Sequence, residues 1–188
     1  APQPTTRNGV GTQLWGPSGA AIWPAPTLDP TRNRVYVATG DSYTDPAAPE
    51  SDAIMAMTMD TGEILWTRQT LPGDAWNVGC IETSPEARVN CPDDAGPDHD
   101  FGSSPVLTTL ADGREVLLAG QKSGMLYGLN PDDGQVIWET RVGDGGVFGG
   151  IEWGVATDGE RTYAASSEAA EKRPGDAGGL TAVGVADG

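Results

Sequence analysis

Five side chains in this sequence are of types that could hold a cofactor or carry out acid–base chemistry. Asp41 and Asp52 are carboxylates, and a carboxylate binds a hard divalent cation through oxygen or accepts a proton. Trp23 offers an aromatic face to a flat ring, and Lys122 offers a cation that stabilises growing negative charge. Glu152 is a further carboxylate in a glycine-rich context. Ordinary roles, such as a core tryptophan, a turn aspartate or a turn lysine, remain open for each of them.

The two cysteines predict a structural link. Cys80 and Cys91 lie in a polar stretch rich in turn residues, and their spacing matches neither a CxxC pair nor a zinc-ligand set. We therefore expect a local disulfide, which contributes about 2–3 kcal/mol at best. A disulfide also implies an oxidising compartment.

The only histidine, His99, stands between two aspartates, as the base of a hydrolase could. The nearby segment 102–105 reads Gly-Ser-Ser-Pro and is not the G-x-S-x-G motif, so the hydrolase interpretation is not supported. We interpret the acidic run 93–100 as a solvated loop, with calcium binding as a minor alternative.

The charge balance and the lack of long apolar runs each exclude one class of function. The 188 residues include 11 Lys and Arg against 27 Asp and Glu, which gives a net charge of −16 and an isoelectric point near 4.1. Binding to a nucleic-acid backbone requires a positive surface, so no nucleic-acid partner is expected. No run of 18 apolar residues occurs, so no membrane span is expected. The sequence opens without a charged-then-apolar leader, so a secretion signal is expected to be absent or already removed.

Short β-like segments must position these residues, because no stretch of 12 or more residues carries a clean helical period. The clearest segments are 34–40, 115–120 and 125–129, each bounded by turn residues. Short strands at close spacing are typical of a sandwich, a barrel or a propeller.

A repeat distinguishes among these architectures. Segments 54–66 and 126–138 both spell a strand, an Asp-Gly-type turn, a strand and a final tryptophan. Trp66 and Trp138 each follow the turn glycine by four residues (66 − 62 = 4; 138 − 134 = 4). A third copy begins near Leu180.

The repeat spacing predicts a propeller with one loop insertion. The turn glycines are 134 − 62 = 72 residues apart, whereas a blade takes about 40–50 residues. The excess of about 20 residues corresponds to the polar stretch 77–100. Propellers have about four to eight blades, so we expect residues 1–188 to be a partial propeller, a fragment of a longer protein.

At these repeats the sequence resembles the PQQ-dependent (quinoprotein) alcohol dehydrogenases, whose blades carry a similar Asp-x-Gly-x-x-x-Trp docking motif. Segment 14–23, and the cysteine-containing insertion followed by 98–105, are most similar to the branch of the family that oxidises polyvinyl alcohol. The resemblance covers nearly all of residues 14–188. It implies an all-β fold, a quinoprotein-like eight-bladed β-propeller of which this chain holds about three to four blades. It also implies pyrroloquinoline quinone (PQQ) and calcium on the central axis.

The resemblance also implies a role for each candidate residue. Trp23 would form the floor under the quinone ring, and Asp41 would bind calcium. Asp52 would be the catalytic base and lie beside the calcium as a ligand. Lys122 would hydrogen-bond the quinone oxygens. Glu152 stands where the family often has Asn, so it is expected to be a secondary pocket residue that needs a partner, for which Lys122 is the candidate.

The implied function is oxidation of an alcohol, secondary or polymeric, to a carbonyl, with electrons passing to a c-type cytochrome. The implied location is periplasmic or secreted. The isolated chain is expected to be inactive, because further cofactor ligands would lie outside it. The alternative is a non-enzymatic propeller scaffold for protein–protein interaction in the cell envelope, which would leave Asp41, Asp52 and Lys122 scattered. A lectin-like binder would suit the six tryptophans but explains none of the repeats.

Overall fold

The computed structural model describes residues 1–168 and 178–188, which are almost entirely β-strand and loop. The strands are β1 (Gln3–Arg7), β2 (Gln13–Gly16), β3 (Thr27–Asp29), β4 (Arg34–Ala38), β5 (Ala53–Thr58), β6 (Ile64–Gln69), β7 (Val106–Thr109), β8 (Glu115–Gly120), β9 (Met125–Leu129), β10 (Val136–Arg141), β11 (Gly149–Gly150), β12 (Val155–Thr157), β13 (Arg161–Glu168) and β14 (Gly179–Gly184). Two 3-10 turns, Val78–Cys80 and Arg88–Asn90, are the helical elements of the described part. No helix in these ranges has the length and apolar character to cross a membrane.

The strands form a hairpin and three antiparallel sheets in chain order. The hairpin is β1–β2, and the two complete four-stranded sheets are β3-β4-β5-β6 and β7-β8-β9-β10. In the last sheet, β13 pairs with β12 and β11 on one side and with β14 on the other. Successive sheets made of sequential strands are propeller blades. The predicted all-β fold with a partial set of about three to four blades is confirmed.

The predicted repeats coincide with the outer hairpins of the two complete blades. Gly62 and Gly134 have φ values of +71° and +69°, a left-handed conformation that glycine adopts without steric cost. The predicted strands 115–120 and 125–129 match β8 and β9 to the residue. A further copy, overlooked in the sequence, lies on the first hairpin, where Trp15 follows Gly11 by four residues (15 − 11 = 4).

Trp66 and Trp138 each contact the turn of the following repeat. The indole N–H of Trp66 donates to the carbonyl oxygen of Pro131 at 3.2 Å, and that of Trp138 donates to the carbonyl oxygen of Val185 at 2.8 Å. Both indoles also lie against the turn glycine of that following repeat. The two contacts are therefore equivalent, and they fix each blade in position against the next.

Two apolar cores lie between consecutive sheets. The central sheet, β7–β10, contributes to both, because alternate residues of a strand point to opposite faces. One face packs against the preceding sheet, with Leu117 and Leu129 against Tyr36. The other face packs against the following sheet, with Leu118 and Leu126 near Ile151. A sheet buried on both faces holds its loops rigidly, which matters for the site at the strand ends.

Strand β4 ends two residues earlier than predicted, and this early end positions the site. After Ala38 the backbone leaves the ladder: the carbonyl oxygen of Thr39 accepts from the N–H of Phe101 at 3.2 Å, and the N–H of Gly40 donates to the carbonyl oxygen of Ala21 at 3.0 Å. These bonds tie three loops together directly before Asp41.

The insertion at 77–100 is a loop stapled by a disulfide. The Cys80–Cys91 bond is present, which confirms the predicted link. The segment contains the two 3-10 turns and no strand, in agreement with its turn-rich composition.

Candidate active site

A cavity of about 530 Å³ opens at the point where four of the five predicted site residues meet. Trp23, Asp41, Lys122 and Glu152 all line it. They lie after β2, β4, β8 and β11, so the hairpin and each of the three sheets contribute one loop. The remaining wall is largely apolar and includes Tyr43, Trp76, Val78, Ile81, Val147 and Phe148. The structure thus brings the tryptophan, the lysine and two of the acids to one cavity, and their roles stay predictions.

Asp52, the predicted base, does not line this cavity. It directly precedes β5, is completely buried and has a φ of +48°. Its N–H donates to the carbonyl oxygen of Gly40 at 3.0 Å, and its carbonyl oxygen accepts from the N–H of Thr70 at 3.1 Å. Neither carboxylate oxygen has a hydrogen-bond partner within the described ranges. The structure thus places Asp52 behind Gly40, which does line the cavity.

Two further aspartates occupy the site, and the sequence interpretation missed them. Asp98 and Asp100 line the cavity and are only 2% and 8% exposed, so the interpretation of their segment as a solvated loop is wrong at its end. The ammonium of Lys122 donates to Asp98 Oδ1 at 2.8 Å and to Asp100 Oδ2 at 3.1 Å. The available signal was an Asp-x-Asp pair directly before Phe101, which is fully buried.

Backbone hydrogen bonds set the positions of these acids. The buried carboxylate of Asp74 accepts from the N–H groups of Asp98, at 3.3 Å, and His99, at 2.9 Å. Asp98 has a φ of +60°, a conformation that this carboxylate clamp supports. Asp100 Oδ1 accepts from the N–H of Asp41 at 2.7 Å, and the carbonyl oxygen of Asp100 accepts from the N–H of Lys122 at 2.9 Å. Each acid is therefore fixed by another loop of the site.

Burial and mutual repulsion alter the protonation of the cavity acids. Burial raises the pKa of Asp98 to about 7, although the hydrogen bond from Lys122 pulls that pKa in the opposite direction. Burial lowers the pKa of Lys122, but Asp98 and Asp100 outweigh burial and hold that pKa above its usual value. Lys122 is therefore a permanent cation at neutral pH.

Asp41 and Asp52 have the largest pKa shifts of these acids. Burial, reinforced by the charge of Asp100, raises the pKa of Asp41 to about 9. Burial, reinforced by the charge of Asp74, raises the pKa of Asp52 to about 9. The cluster has more acids than Lys122 can neutralise, so without a further cation some of these carboxyls hold a proton at neutral pH.

Three of the acids could share a metal ion. Asp41, Asp98 and Asp100 each offer a carboxylate oxygen, and these oxygens lie within 4.8 Å of one another. Asp41 Oδ2 is buried without a hydrogen-bond partner in the part of the chain that the structure describes. Calcium takes oxygen ligands at about 2.3–2.6 Å, so ligands on opposite sides of it are about 5 Å apart. The donor set and the orphaned oxygen fit this ion.

Trp23 lies where a planar ligand could stack. Its side chain is 44% exposed and lines the cavity. A Cβ at Gly102 would lie 2.5 Å from the indole ring, and a Cβ at Gly40 would lie 3.0 Å from the indole nitrogen. The indole is thus backed by two glycine backbones and does not belong to the blade-docking set. This arrangement fits a flat aromatic cofactor.

Glu152 lines the cavity but does not pair with Lys122 as expected. Among the ion pairs of residues 1–168 and 178–188, those of Lys122 are with Asp98 and Asp100. These two acids take two of the three N–H donors of the ammonium. The role of Glu152 toward a cofactor therefore stays a prediction.

Comparison with known proteins gives consistent relatives. The chain is 45% identical over all its 188 residues to a polyvinylalcohol dehydrogenase of Pseudomonas sp., of which it spans 28%. It is 25% identical over 158 residues, 79% of this chain, to quinohemoprotein alcohol dehydrogenase ADH IIB of Pseudomonas putida, of which it spans 19%. The chain thus matches about a quarter or less of the length of these relatives.

A solved structure and a family model agree with the observed fold. The crystal structure of quinohemoprotein alcohol dehydrogenase from Comamonas testosteroni aligns with a TM-score of 0.56 and 19% identity, over 79% of this chain and 26% of that chain. This likeness concerns the fold alone. The PQQ_2 family model, described as outer membrane protein assembly factor BamB, matches residues 6–170. The chain therefore belongs to the PQQ_2 family of β-propeller proteins.

Proposed function

We propose that this chain is part of a PQQ- and calcium-dependent dehydrogenase that oxidises a secondary alcohol to a ketone. The observation that carries the proposal is the convergence of an exposed indole face, a buried ammonium and three carboxylates in one cavity. The 45% identical relative is named as a polyvinylalcohol dehydrogenase, which supports an alcohol as substrate and a polymeric alcohol as a candidate.

The proposed enzyme is longer than this chain. The relatives are several times longer, and three four-stranded sheets are fewer than the roughly four to eight blades of a closed propeller. Further blades would complete the ring and supply further cofactor ligands, so the 188 residues alone are expected to be inactive. We call the product of the complete reading frame that contains this chain the full-frame protein.

The cavity residues divide into those that hold the cofactors and those that act on the substrate. Trp23 would stack against the quinone ring, and the ammonium of Lys122 would donate to the quinone oxygens, where a fixed cation stabilises added negative charge. Asp41 and Asp100 would hold calcium through their carboxylate oxygens. When bound, PQQ supplies the acceptor for the two electrons of the alcohol C–H bond, and calcium polarises it as a Lewis acid.

Asp98 is the better placed base. Oxidation of an alcohol requires removal of the hydroxyl proton, and the accepting carboxylate must lie within hydrogen-bonding reach of the substrate. Asp98 lines the cavity, whereas Asp52 is fully buried behind Gly40. The hydrogen bond from Lys122 holds the Asp98 carboxylate in one orientation. We therefore assign proton removal to Asp98 in place of Asp52.

The proposed setting is the periplasm or the cell exterior, with a c-type cytochrome as electron acceptor. The Cys80–Cys91 disulfide supports an oxidising compartment. The acidic chain, with a net charge of −16, would attract a basic electron-transfer partner. The disulfide and the net charge do not affect the chemistry of the cavity.

The test is dye-linked oxidation of 2-propanol by the full-frame protein loaded with PQQ and calcium. We expect quinone-dependent turnover, and we expect Asp98→Asn to lower kcat by about 100-fold or more, the usual contribution of a general base. Asp94→Asn, an exposed acid of the same loop, is the matched control and should keep full activity.

Two outcomes would contradict parts of the proposal. Full activity of Asp98→Asn together with loss of activity in Asp52→Asn would return the base to Asp52. Absence of quinone-dependent turnover in the wild-type full-frame protein, although it is folded, would exclude the dehydrogenase.

The second candidate is a non-enzymatic scaffold. The family model carries the description of an outer-membrane assembly factor, and the Trp66 and Trp138 contacts serve blade packing alone. A scaffold has no need for unpaired buried carboxylates beside an open cavity, and such groups are costly without a ligand. This observation favours the dehydrogenase.

A further inference from the structure

The first turn of the insertion places two apolar side chains in the cavity wall. Val78 and Ile81 line the cavity and yet are 71% and 47% exposed. Both belong to the turn at Val78–Cys80 or directly follow it. Apolar side chains at a cavity mouth lose water when a ligand covers them, so such a wall favours a ligand with apolar surface.

This exposed wall is held rigidly, although it forms part of a long loop. Asn77 Oδ1 accepts from the N–H of Gly79 at 2.9 Å, and Asn77 Nδ2 donates to the carbonyl oxygens of Tyr43 at 3.0 Å and Asn90 at 2.7 Å. The disulfide from Cys80 fixes the same turn. A surface that is preorganised loses little entropy when a ligand binds.

The guanidinium of Arg88 closes the turn from the other side. It donates to the carbonyl oxygens of Cys80 and Glu82, the latter at 3.1 Å. Val78 and Ile81 are therefore presented by a segment that is tied on both flanks.

Four charged groups of the cavity form one cluster, whereas the first turn of the insertion contributes apolar contact. Asp41, Asp98, Asp100 and Lys122 contact one another directly or share a candidate metal position. An occupant that satisfies both parts has a hydroxyl at one point and an apolar carbon chain beyond it.

We propose that Val78 and Ile81 bind the carbon chain of the alcohol and make the enzyme select long-chain secondary alcohols over short ones. The proposal rests on the proposed function, because it concerns the substrate of that same cavity. A long secondary alcohol covers the wall when its hydroxyl reaches Asp98, whereas a three-carbon alcohol leaves the wall in water.

The test compares 2-octanol with 2-propanol in the full-frame protein loaded with PQQ and calcium. A single methylene in an apolar pocket changes kcat/KM by about 10-fold or more, so we expect V78S/I81S to lower kcat/KM for 2-octanol by about 10-fold. The loss should lie in KM, because the wall makes no contact with the reacting atoms. The value for 2-propanol should stay within about 2-fold of wild type, as expected for a substrate that leaves the wall uncovered.

The matched control is Val10→Ser. Val10 is also 71% exposed, lies in the turn of the first hairpin and does not line the cavity. In this variant, the ratio of kcat/KM for 2-octanol to kcat/KM for 2-propanol should equal that of wild type. Ile81→Ala is a milder second variant that should lower the same ratio, and quinone binding by every variant shows that the fold is intact.

Each outcome is decisive. An unchanged 2-octanol to 2-propanol ratio in V78S/I81S and in Ile81→Ala overturns the inference while leaving the dehydrogenase in place. An equal loss for both alcohols also overturns it, because the residues would then support the fold and not the chain. Absence of turnover with any alcohol in the wild-type protein contradicts the proposed function, and the inference fails with it.

Discussion

Strand β4 connects two charged clusters that differ in how completely their charged groups are paired. The arginine network lies at its beginning, and the aspartate cluster lies beyond its end. The arginine network consists of Asp29, Arg32, Arg34, Glu115 and Asp132. The aspartate cluster consists of Asp41, Asp52, Asp74, Asp98 and Asp100 with Lys122.

The arginine network is fully paired. Arg32 contacts Asp29 at 2.9 Å, Glu115 at 2.6 Å and Asp132 at 2.9 Å, and so joins two blades. Burial alone would raise the pKa of Asp29, but the hydrogen bonds and charge of Arg32 outweigh it and lower that pKa. All parts of this network are explained by the packing of the blades.

In the aspartate cluster, by contrast, the packing of the blades leaves some buried carboxylate oxygens without hydrogen-bond partners. Asp41 Oδ2 and both carboxylate oxygens of Asp52 are buried without hydrogen-bond partners in the described residues, and the pKa of each acid is raised to about 9 by burial above all. Buried polar atoms without partners are tolerated where a ligand completes the set. The two clusters therefore differ in unpaired buried oxygens: none belongs to the arginine network within the described residues, whereas Asp41 of the candidate metal group has one.

The largest effect should follow loss of the one cation in the aspartate cluster. Lys122→Met leaves Asp98 and Asp100 buried without their partner, and breaking a buried pair in this way costs about 3–5 kcal/mol. We expect the free energy of unfolding of the full-frame protein, measured by urea denaturation in EDTA, to fall by about that amount. A loss below about 1 kcal/mol would mean that the pair is solvated.

The next effect should come from calcium itself. At 100 times its dissociation constant, a ligand that binds only the folded state adds about 2.7 kcal/mol. We expect calcium to stabilise the full-frame protein by about this amount and to do so hardly at all in Asp41→Ala, because Asp41 contributes the orphaned oxygen. Asp94→Ala, with an exposed acid, is the control. Equal stabilisation of Asp41→Ala and wild type would remove Asp41 from the metal site.

A smaller effect of opposite sign should follow neutralisation of Asp52. Asn tolerates the left-handed backbone at this position, and it removes a buried carboxyl whose raised pKa opposes folding at alkaline pH, so Asp52→Asn should raise the free energy of unfolding at pH 8 by about 1 kcal/mol or more. Because the pKa of Asp52 rises from 3.8 to about 9 on folding, its favourable contribution is complete below pH 3.8 and is lost as pH rises toward 9.

The pH profile of unfolding checks this expectation for Asp52. The wild type in EDTA should lose stability between pH 4 and 9 more steeply than the variant does. Parallel pH profiles of wild type and Asp52→Asn would show that the Asp52 carboxylate has a stabilising partner in the folded state.

The smallest effect belongs to the arginine network. Arg32→Met should lower the free energy of unfolding at pH 7 by about 1 kcal/mol, since the side chain is 22% exposed and solvent screens its pairs. Arg114→Met, with a pair that is more than half exposed, should change it by less. The lowered pKa of Asp29 contributes stability above pH 3.8 that is lost as pH falls, so the difference between Arg32→Met and wild type should shrink in acid. If Arg32→Met lowered the free energy of unfolding as much as Lys122→Met does, the two clusters would not differ in their contribution to stability.

The fold was predictable because the propeller repeats local patterns. Strands β8 and β9 and the spacing of Trp66 and Trp138 follow from alternation and turn glycines that lie within a few residues of one another. The copy at Trp15 went unnoticed because its turn has Gly9 where the others have Asp60 and Asp132.

The site was predictable only where a residue directly flanks a strand. Asp41 and Lys122 follow β4 and β8, so their convergence could be foreseen. Asp98 and Asp100 lie at the end of a long insertion, and their burial depends on contacts with Asp74 and Lys122, 24 and 22 residues away. Asp52 flanks β5 directly, yet it is fully buried and does not line the cavity, and no spacing rule in the sequence distinguishes these two placements.

The glycine next to Trp23 limits which residues its position can hold. A Cβ at Gly102 would lie 2.5 Å from the indole, closer than two carbon atoms approach, so the ring would have to shift. The position of the indole therefore depends on a missing methyl group at residue 102, far along the chain from the tryptophan. A bulkier residue at Gly102 would displace the proposed stacking surface without changing any group that does chemistry.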